Sequence, residues 1–299
     1  MSPNPAGEDH DRGLLFDVHT LLDRRRALAL FGGLGVVGAL TACSGGDTTA
    51  GGAPSGASSS SGATSAGTTA GTSAGASAGT SAATGAATSE AALAEAPDET
   101  AGPYPGDGSN GQNVLDDSGI VRQDIRTSYG TSTTKAEGVP LTIRLTVKAL
   151  ATSQAMVGAA VYLWHCDRDG NYSLYSSGVE GENYLRGVQV TDGSGTATFT
   201  SIFPACYPGR WPHIHFEVYG TVADATSSGP IVKTSQIALP QAACDAVYAT
   251  PGYERSVQTL ARLSLESDNV FGDDGGVHQL ATMSGGVTSG YAAALTLGV

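Results

Sequence analysis

Cys206-Tyr207-Pro208-Gly209-Arg210-Trp211-Pro212-His213-Ile214-His215-Phe216-Glu217-Val218 holds a turn, a strand and a pair of histidines in thirteen residues. From His213 the run is β-prone, and at a period of two His213 and His215 point to one face while Ile214, Phe216 and Val218 point to the other. The two imidazoles converge. A His-x-His strand suits a first-row metal, and it equally describes two hydrogen-bonded histidines on a half-buried sheet. Tyr207 and Arg210 lie just upstream, behind the turn chemistry of Pro208-Gly209.

Outward from this strand the pattern repeats. Leu141–Val147 alternates apolar and polar residues, and 159–164, 187–190, 195–199 and 291–299 are further strand-like segments separated by Gly, Asp, Asn, Ser and Pro. Short strands at this spacing predict an all-β fold, an antiparallel β-sandwich with short helical segments, one of them a turn near 258–265. Asp192-Gly193-Ser194-Gly195 reads as a hairpin turn pairing 184–190 with 196–203.

The composition divides the 299 residues unevenly. Arg24-Arg25-Arg26 precedes an apolar run to Leu40 that is too short to span a bilayer and has the shape of a signal-peptide core. The paired arginines are similar to a twin-arginine export signal, and Leu40-Thr41-Ala42-Cys43 to a bacterial lipobox, which makes Cys43 the expected lipidation site. Residues 44–96 are a run of Thr, Ser, Ala and Gly without the apolar side chains needed to offset ordering, hence an expected disordered spacer with a reach of about 40 Å. Residues 1–43 are thus the expected signal peptide and 97–299 the folded domain, exported and lipid-anchored to the outer face of the cytoplasmic membrane, or secreted. From 98 to 299 there are 11 Lys+Arg against 20 Asp+Glu, with no basic stripe. That balance argues against nucleic acid as a partner and leaves the lipid as the only membrane attachment.

A strand ending in Trp164-His165 leads through Gly170-Asn171-Tyr172-Ser173 to Leu185-Arg186-Gly187, then Phe203-Pro204, Tyr207-Pro208-Gly209-Arg210 and His213-Ile214-His215-Phe216. In this order the motifs resemble the intradiol ring-cleavage dioxygenases, the family of the catechol 1,2-dioxygenases and protocatechuate 3,4-dioxygenases. The resemblance spans about 97–299, with Gly102-Pro103-Tyr104 near its start and Thr234-Ser235-Gln236 after the histidines. It implies one Fe(III) per chain held by Tyr172, Tyr207, His213 and His215, and a dioxygenase that uses O2 to cleave catechols between the hydroxyl-bearing carbons. Two phenolates, as hard anionic oxygen donors, agree with the ferric state. The resemblance further makes Tyr207 the ligand that is released and accepts a proton, Arg210 a cation beside developing negative charge, and Gln236 and Tyr104 substrate-binding groups, with Gln236 also catalytic. Only six positions separate Tyr207 from His213, and a spacer stands where the catechol 1,2-dioxygenases carry a helical N-terminal domain, so their dimerisation does not carry over.

Two other readings fit parts of the pattern. A cupin-like oxygenase or hydrolase would want a glutamate three or four positions beyond His215, whereas Glu217 comes at two. A non-catalytic extracellular sandwich binding aromatic or carbohydrate ligands needs no metal. Beyond Cys43, the three cysteines Cys166, Cys206 and Cys244 predict one disulfide and one free thiol, with Cys166–Cys206 and Cys206–Cys244 both open as pairings.

Overall fold

The computed structural model describes residues 93–299. The leader, Cys43 and spacer residues 44–92 lie outside the described residues.

Among the described residues eight strands form two sheets: β1 (Pro140–Lys148), β2 (Ala160–Trp164), β3 (Arg186–Val190), β4 (Thr196–Ile202), β5 (His213–Tyr219), β6 (Ile231–Ala238), β7 (Thr282–Gly286) and β8 (Gly290–Gly298). Their orders are β4-β1-β8-β7 and β3-β2-β5-β6. Short helices α1 (Val222–Ala225), α2 (Gln241–Tyr248) and α3 (Glu254–Leu260) and a 3-10 turn at Leu265–Ser267 follow β5. The all-β sandwich is therefore observed. Every strand pairing is antiparallel except β1 with β8, which run parallel from Leu141↔Tyr291 to Lys148↔Gly298.

β1 shows why the sheets face each other. Leu141, Ile143, Leu145 and Val147 are buried while Arg144 between them is exposed, the period-two pattern of a strand with one face on the core. β2 and β5 are buried at every position. Val161, Leu163, Ile214, Phe216 and Val218 fill the space between the sheets, and Tyr162, Trp164 and Tyr219 on the opposite face lie under a second apolar layer that includes Leu115, Ile120 and Tyr172. The second sheet is therefore covered on both sides, and the histidines of β5 look into that outer layer.

Three expectations change. Asp192–Gly195 is not a hairpin turn: β3 pairs with β2 and β4 with β1, so the turn carries the chain from one sheet to the other. Gly195 sits at φ +78 and accepts the Val147 N–H through its carbonyl at 2.8 Å, while Thr191 N–H donates to Ala159 O on the other sheet at 2.8 Å. Each strand thus finds a partner more distant in sequence than its neighbour. Among the described residues no disulfide forms: Cys166, Cys206 and Cys244 are all free and buried. Their thiols turn instead to backbone carbonyls, of Ala205 at 3.8 Å, Arg210 at 3.7 Å and Leu239 at 3.8 Å. Finally, Ala94 and Ala96 already exchange backbone hydrogen bonds with Gly298, and Ala96 is buried, so ordered structure is present ahead of residue 97.

Candidate metal centre

Three elements deliver four donor groups to one point. β5 carries His213 and His215 two positions apart, on one face. The connection after β2 bends at Gly170 (φ +90), where an added Cβ would lie 3.5 Å from the Tyr207 Cβ, and then presents Tyr172. The connection from β4 to β5 makes the predicted Pro-Gly turn, with Gly209 at φ +88 and Arg210 N–H on Tyr207 O at 3.3 Å, the pattern that places glycine third in a type II turn.

The result is a compact set of donor atoms. Tyr172 Oη lies 3.3 Å from Tyr207 Oη, 3.4 Å from His213 Nε2 and 3.3 Å from His215 Nε2. His213 Nε2 lies 3.1 Å from both Tyr207 Oη and His215 Nε2. Donor atoms 3.1–3.4 Å apart are spaced as neighbouring ligands on one first-row metal are, each at the end of a bond of about 2 Å. Among the described residues no group of three or more His, Cys, Asp or Glu could hold a metal. Half of this donor set is phenolic, and its other half is two histidines.

Electrostatics fits a cation. Tyr172, His213 and His215 are 2–3 % exposed, and Tyr207 is half-buried. Burial holds both imidazoles well below their usual range, hence neutral with a lone pair to give, and the Arg210 charge adds to this at His213. His213 Nδ1–H donates to Trp211 O at 2.6 Å, which leaves Nε2 as the acceptor aimed at the cluster. His215 Nδ1 has no hydrogen-bond partner, and its ring is instead laid flat on Trp164, centroids 5.0 Å apart at 5°. Burial, then Tyr207, pushes the Tyr172 phenol well above its usual range. A polyvalent cation at the shared point is what would bring such a buried phenol to its anion.

Arg210 is 2 % exposed and fixed on two edges: Nε donates to Asp268 Oδ2 at 3.0 Å and Nη2 to Gln236 Oε1 at 2.6 Å. Gln236 lies directly across from His215 on β6 and donates Nε2–H to Thr100 O at 2.9 Å. The Tyr104 ring packs on Tyr172 at 5.0 Å and on Tyr175 at 5.2 Å. The seven residues read from the sequence as one site, Tyr104, Tyr172, Tyr207, Arg210, His213, His215 and Gln236, thus lie in one cluster. Glu217 is not with the donors: it accepts from Tyr219 Oη at 2.7 Å. His165 is a satisfied core histidine, bonded to Cys166 O and Ser201 Oγ at 2.7 Å each, whereas Trp164 supports a donor ring directly. A cavity of about 360 Å³ opens on the other sheet, lined by Thr142, Thr200, Ser284 and Tyr291 among others, and none of the four donors touches it. Asp268 is the residue that sequence reasoning missed, for it sits in a Gly/Asp-rich loop with no periodicity or motif to mark it.

Residues 124–226 match the family model Dioxygenase_C, described as Dioxygenase, a span that includes all four donors and Arg210. An intradiol ring-cleavage dioxygenase from Tetranychus urticae superposes with a TM-score of 0.55 at 24% identity, over 69% of this chain and 94% of that one. The domain has the fold of the intradiol ring-cleavage dioxygenases. The dioxygenase domain of a dioxygenase carbohydrate-binding protein fusion from Streptomyces sp. SirexAA-E is also similar (22% identity, 69% of this chain and 97% of that one, TM-score 0.43). So is catechol 1,2-dioxygenase from Pseudomonas arvilla C-1 (20% identity, 58% of this chain and 54% of that one, TM-score 0.36). The family match and the Tetranychus urticae dioxygenase carry the fold. No curated protein sequence matches the chain. The family match ends before β6, so Gln236 and Asp268 lie outside the matched span and reach the site through the β5–β6 pairing and the contact with Arg210.

Proposed function

We propose that the domain is an intradiol dioxygenase, opening the ring of catechols between the two hydroxyl-bearing carbons and giving muconate-type diacids. One C–C bond breaks, both atoms of O2 enter the product, and each of the two carbons ends as a carboxyl group. Tyr172, Tyr207, His213 and His215 would hold one Fe(III) per chain. The observation that carries the reading is that Tyr172 Oη lies 3.3–3.4 Å from the other phenol oxygen and from both imidazole nitrogens, with His213 Nε2 3.1 Å from Tyr207 Oη and from His215 Nε2. Bound there, Fe(III) supplies the Lewis acidity that draws charge from a catecholate so that O2 can attack a ring carbon.

The chain's own residues carry the other tasks. Catechol must shed two phenolic protons as it binds, and Tyr207 Oη, on the more exposed of the two tyrosines, is the acceptor for one of them. Arg210 is a buried, fixed cation beside the place where negative charge develops on the substrate, worth far more in this dry setting than in water. Gln236 keeps the guanidinium facing the site, and Tyr104 forms part of the aromatic wall where the ring enters. The paired arginines at 24–26, the sequence ending in Cys43 and the spacer support export and lipid anchoring, so that the domain meets catechols outside the membrane.

The test uses full-length protein reconstituted with Fe(III). We expect a broad visible absorption from tyrosinate-to-ferric charge transfer, lost or strongly shifted in Y172F and Y207F. Oxygen uptake with a panel of catechols should yield a ring-opened diacid. A protein that takes up no iron, or holds it without a tyrosinate band, would sink the assignment.

A further inference from the structure

We infer that Asp268, which belongs to no motif in the sequence, is a positioning residue of this site, orienting Arg210 and the backbone ahead of His213 with a single carboxylate. The inference rests on the reading of Arg210 as the cation of a ring-opening site. Asp268 follows the 3-10 turn and is 3 % exposed. Its Oδ1 accepts the N–H groups of Val270 at 2.9 Å and Phe271 at 3.1 Å, which locks the carboxylate to its own loop. Oδ2 is thereby turned outward, where it accepts Arg210 Nε–H at 3.0 Å and Trp211 N–H at 2.6 Å.

Four donors saturate this carboxylate, and that is the condition under which a buried ion pair is tolerated. The guanidinium in turn is gripped along Nε by Asp268 and at Nη2 by Gln236, and it lies 5.9 Å from the Phe271 ring centroid. With a planar fork held at two points, its direction is set before any substrate arrives, and no energy is spent reorienting it as charge develops. The same oxygen reaches the donor cluster by a second route. Asp268 pins the N–H of Trp211, and the carbonyl of Trp211 takes the His213 Nδ1–H at 2.6 Å. Removing the carboxylate therefore loosens the cation and one imidazole together.

The experiment compares D268N, R210A and R210A/D268N with wild type, all as full-length chains, in three readouts: Fe(III) affinity, position of the visible band, and kcat and KM for catechol. In D268N we expect kcat to fall roughly 10–100-fold and Fe(III) affinity by about tenfold, with a displaced band and a KM that moves less than kcat. Because one part of the Asp268 effect passes through Arg210 and the rest through Trp211 and His213, R210A/D268N should turn over more slowly than R210A by less than the factor D268N costs on its own. Turnover, iron affinity and spectrum of D268N all within twofold of wild type would overturn the inference, as would losses in the double variant equal to the product of the two single losses. If D268N does not fold, R210Q/D268N decides, since neither charge then remains buried: recovery of the fold supports the pairing and failure to recover overturns it. A wild-type protein that binds iron but opens no catechol defeats the ring-cleavage reading alone, and the iron-affinity and spectral arms still judge Asp268.

Discussion

At the scale of single residues, the site divides into groups whose chemistry is legible in the chain and groups whose placement is not. His213, His215, Tyr207 and Arg210 are close in sequence, and their turn and strand periodicity bring them near one another whatever the rest of the chain does. Tyr172 is 35 positions away from Tyr207, and its hydroxyl arrives at 3.3 Å only through the pairing of β2 with β5. For Arg210 the buried, doubly held guanidinium leads to a definite expectation. R210A should retain Fe(III) while kcat drops by about 100-fold or more, and R210K should recover little, since an ammonium cannot serve Asp268 and Gln236 with the same fork. Single-turnover oxygen uptake on iron-loaded protein measures it. Equal iron content with unchanged turnover would show that the cation is not used.

Among the elements, the second sheet carries the site because β2 and β5 are sealed on both faces. The connection from β4 to β5 must hold its shape for Tyr207 to reach the histidines. Tyr253, just ahead of α3, secures the start of that connection: its hydroxyl accepts Val139 N–H at 3.1 Å and donates to Phe203 O at 2.8 Å. Y253F leaves a buried N–H and a buried carbonyl without this partner, a cost of about 1–3 kcal/mol in unfolding free energy. Denaturant melts of the two proteins should show it, with the iron site intact in the folded fraction. β6 and β7 were not evident in the sequence, because Ile231-Val232-Lys233-Thr234-Ser235-Gln236 and Thr282-Met283-Ser284-Gly285-Gly286 lack clean alternation. Lys233, Ser235 and Gln236 are nevertheless buried, satisfied by groups from the 95–100 segment and the loop after the 3-10 turn.

Over the whole molecule an acidic chain of net charge −13 accumulates carboxylates that burial must manage. Glu99, 6 % exposed, joins the start of the described chain to the far loop through Gln279, with Asp273, Asp274 and Arg210 also facing it. Burial, then Asp273, pushes its carboxyl up to about 7 from an ordinary 4.5, with Arg210 pulling the other way. Between those values the unfolded chain has released a proton that the folded one still keeps, so stability falls as pH rises from about 4.5 to 7 and then levels off. E99Q should flatten that slope in melting temperature measured from pH 4.5 to 8, the remainder belonging to other buried acids such as Glu217, also about 7. A wild-type slope of opposite sign, or one untouched by E99Q, would refute this account.

The β-sandwich class and the Pro-Gly turn are legible in the chain alone, as is the candidate set of two phenols, two imidazoles, an arginine and a glutamine. These are properties of neighbouring residues and of motif order. That Asp192–Gly195 crosses between sheets, that β1 and β8 run parallel, that three thiols stay apart, and that Asp268 holds Arg210 emerges from the folded chain. Each of these depends on contacts between segments distant in the chain, whose energies follow from which surfaces are buried together and leave no periodic trace in either segment alone.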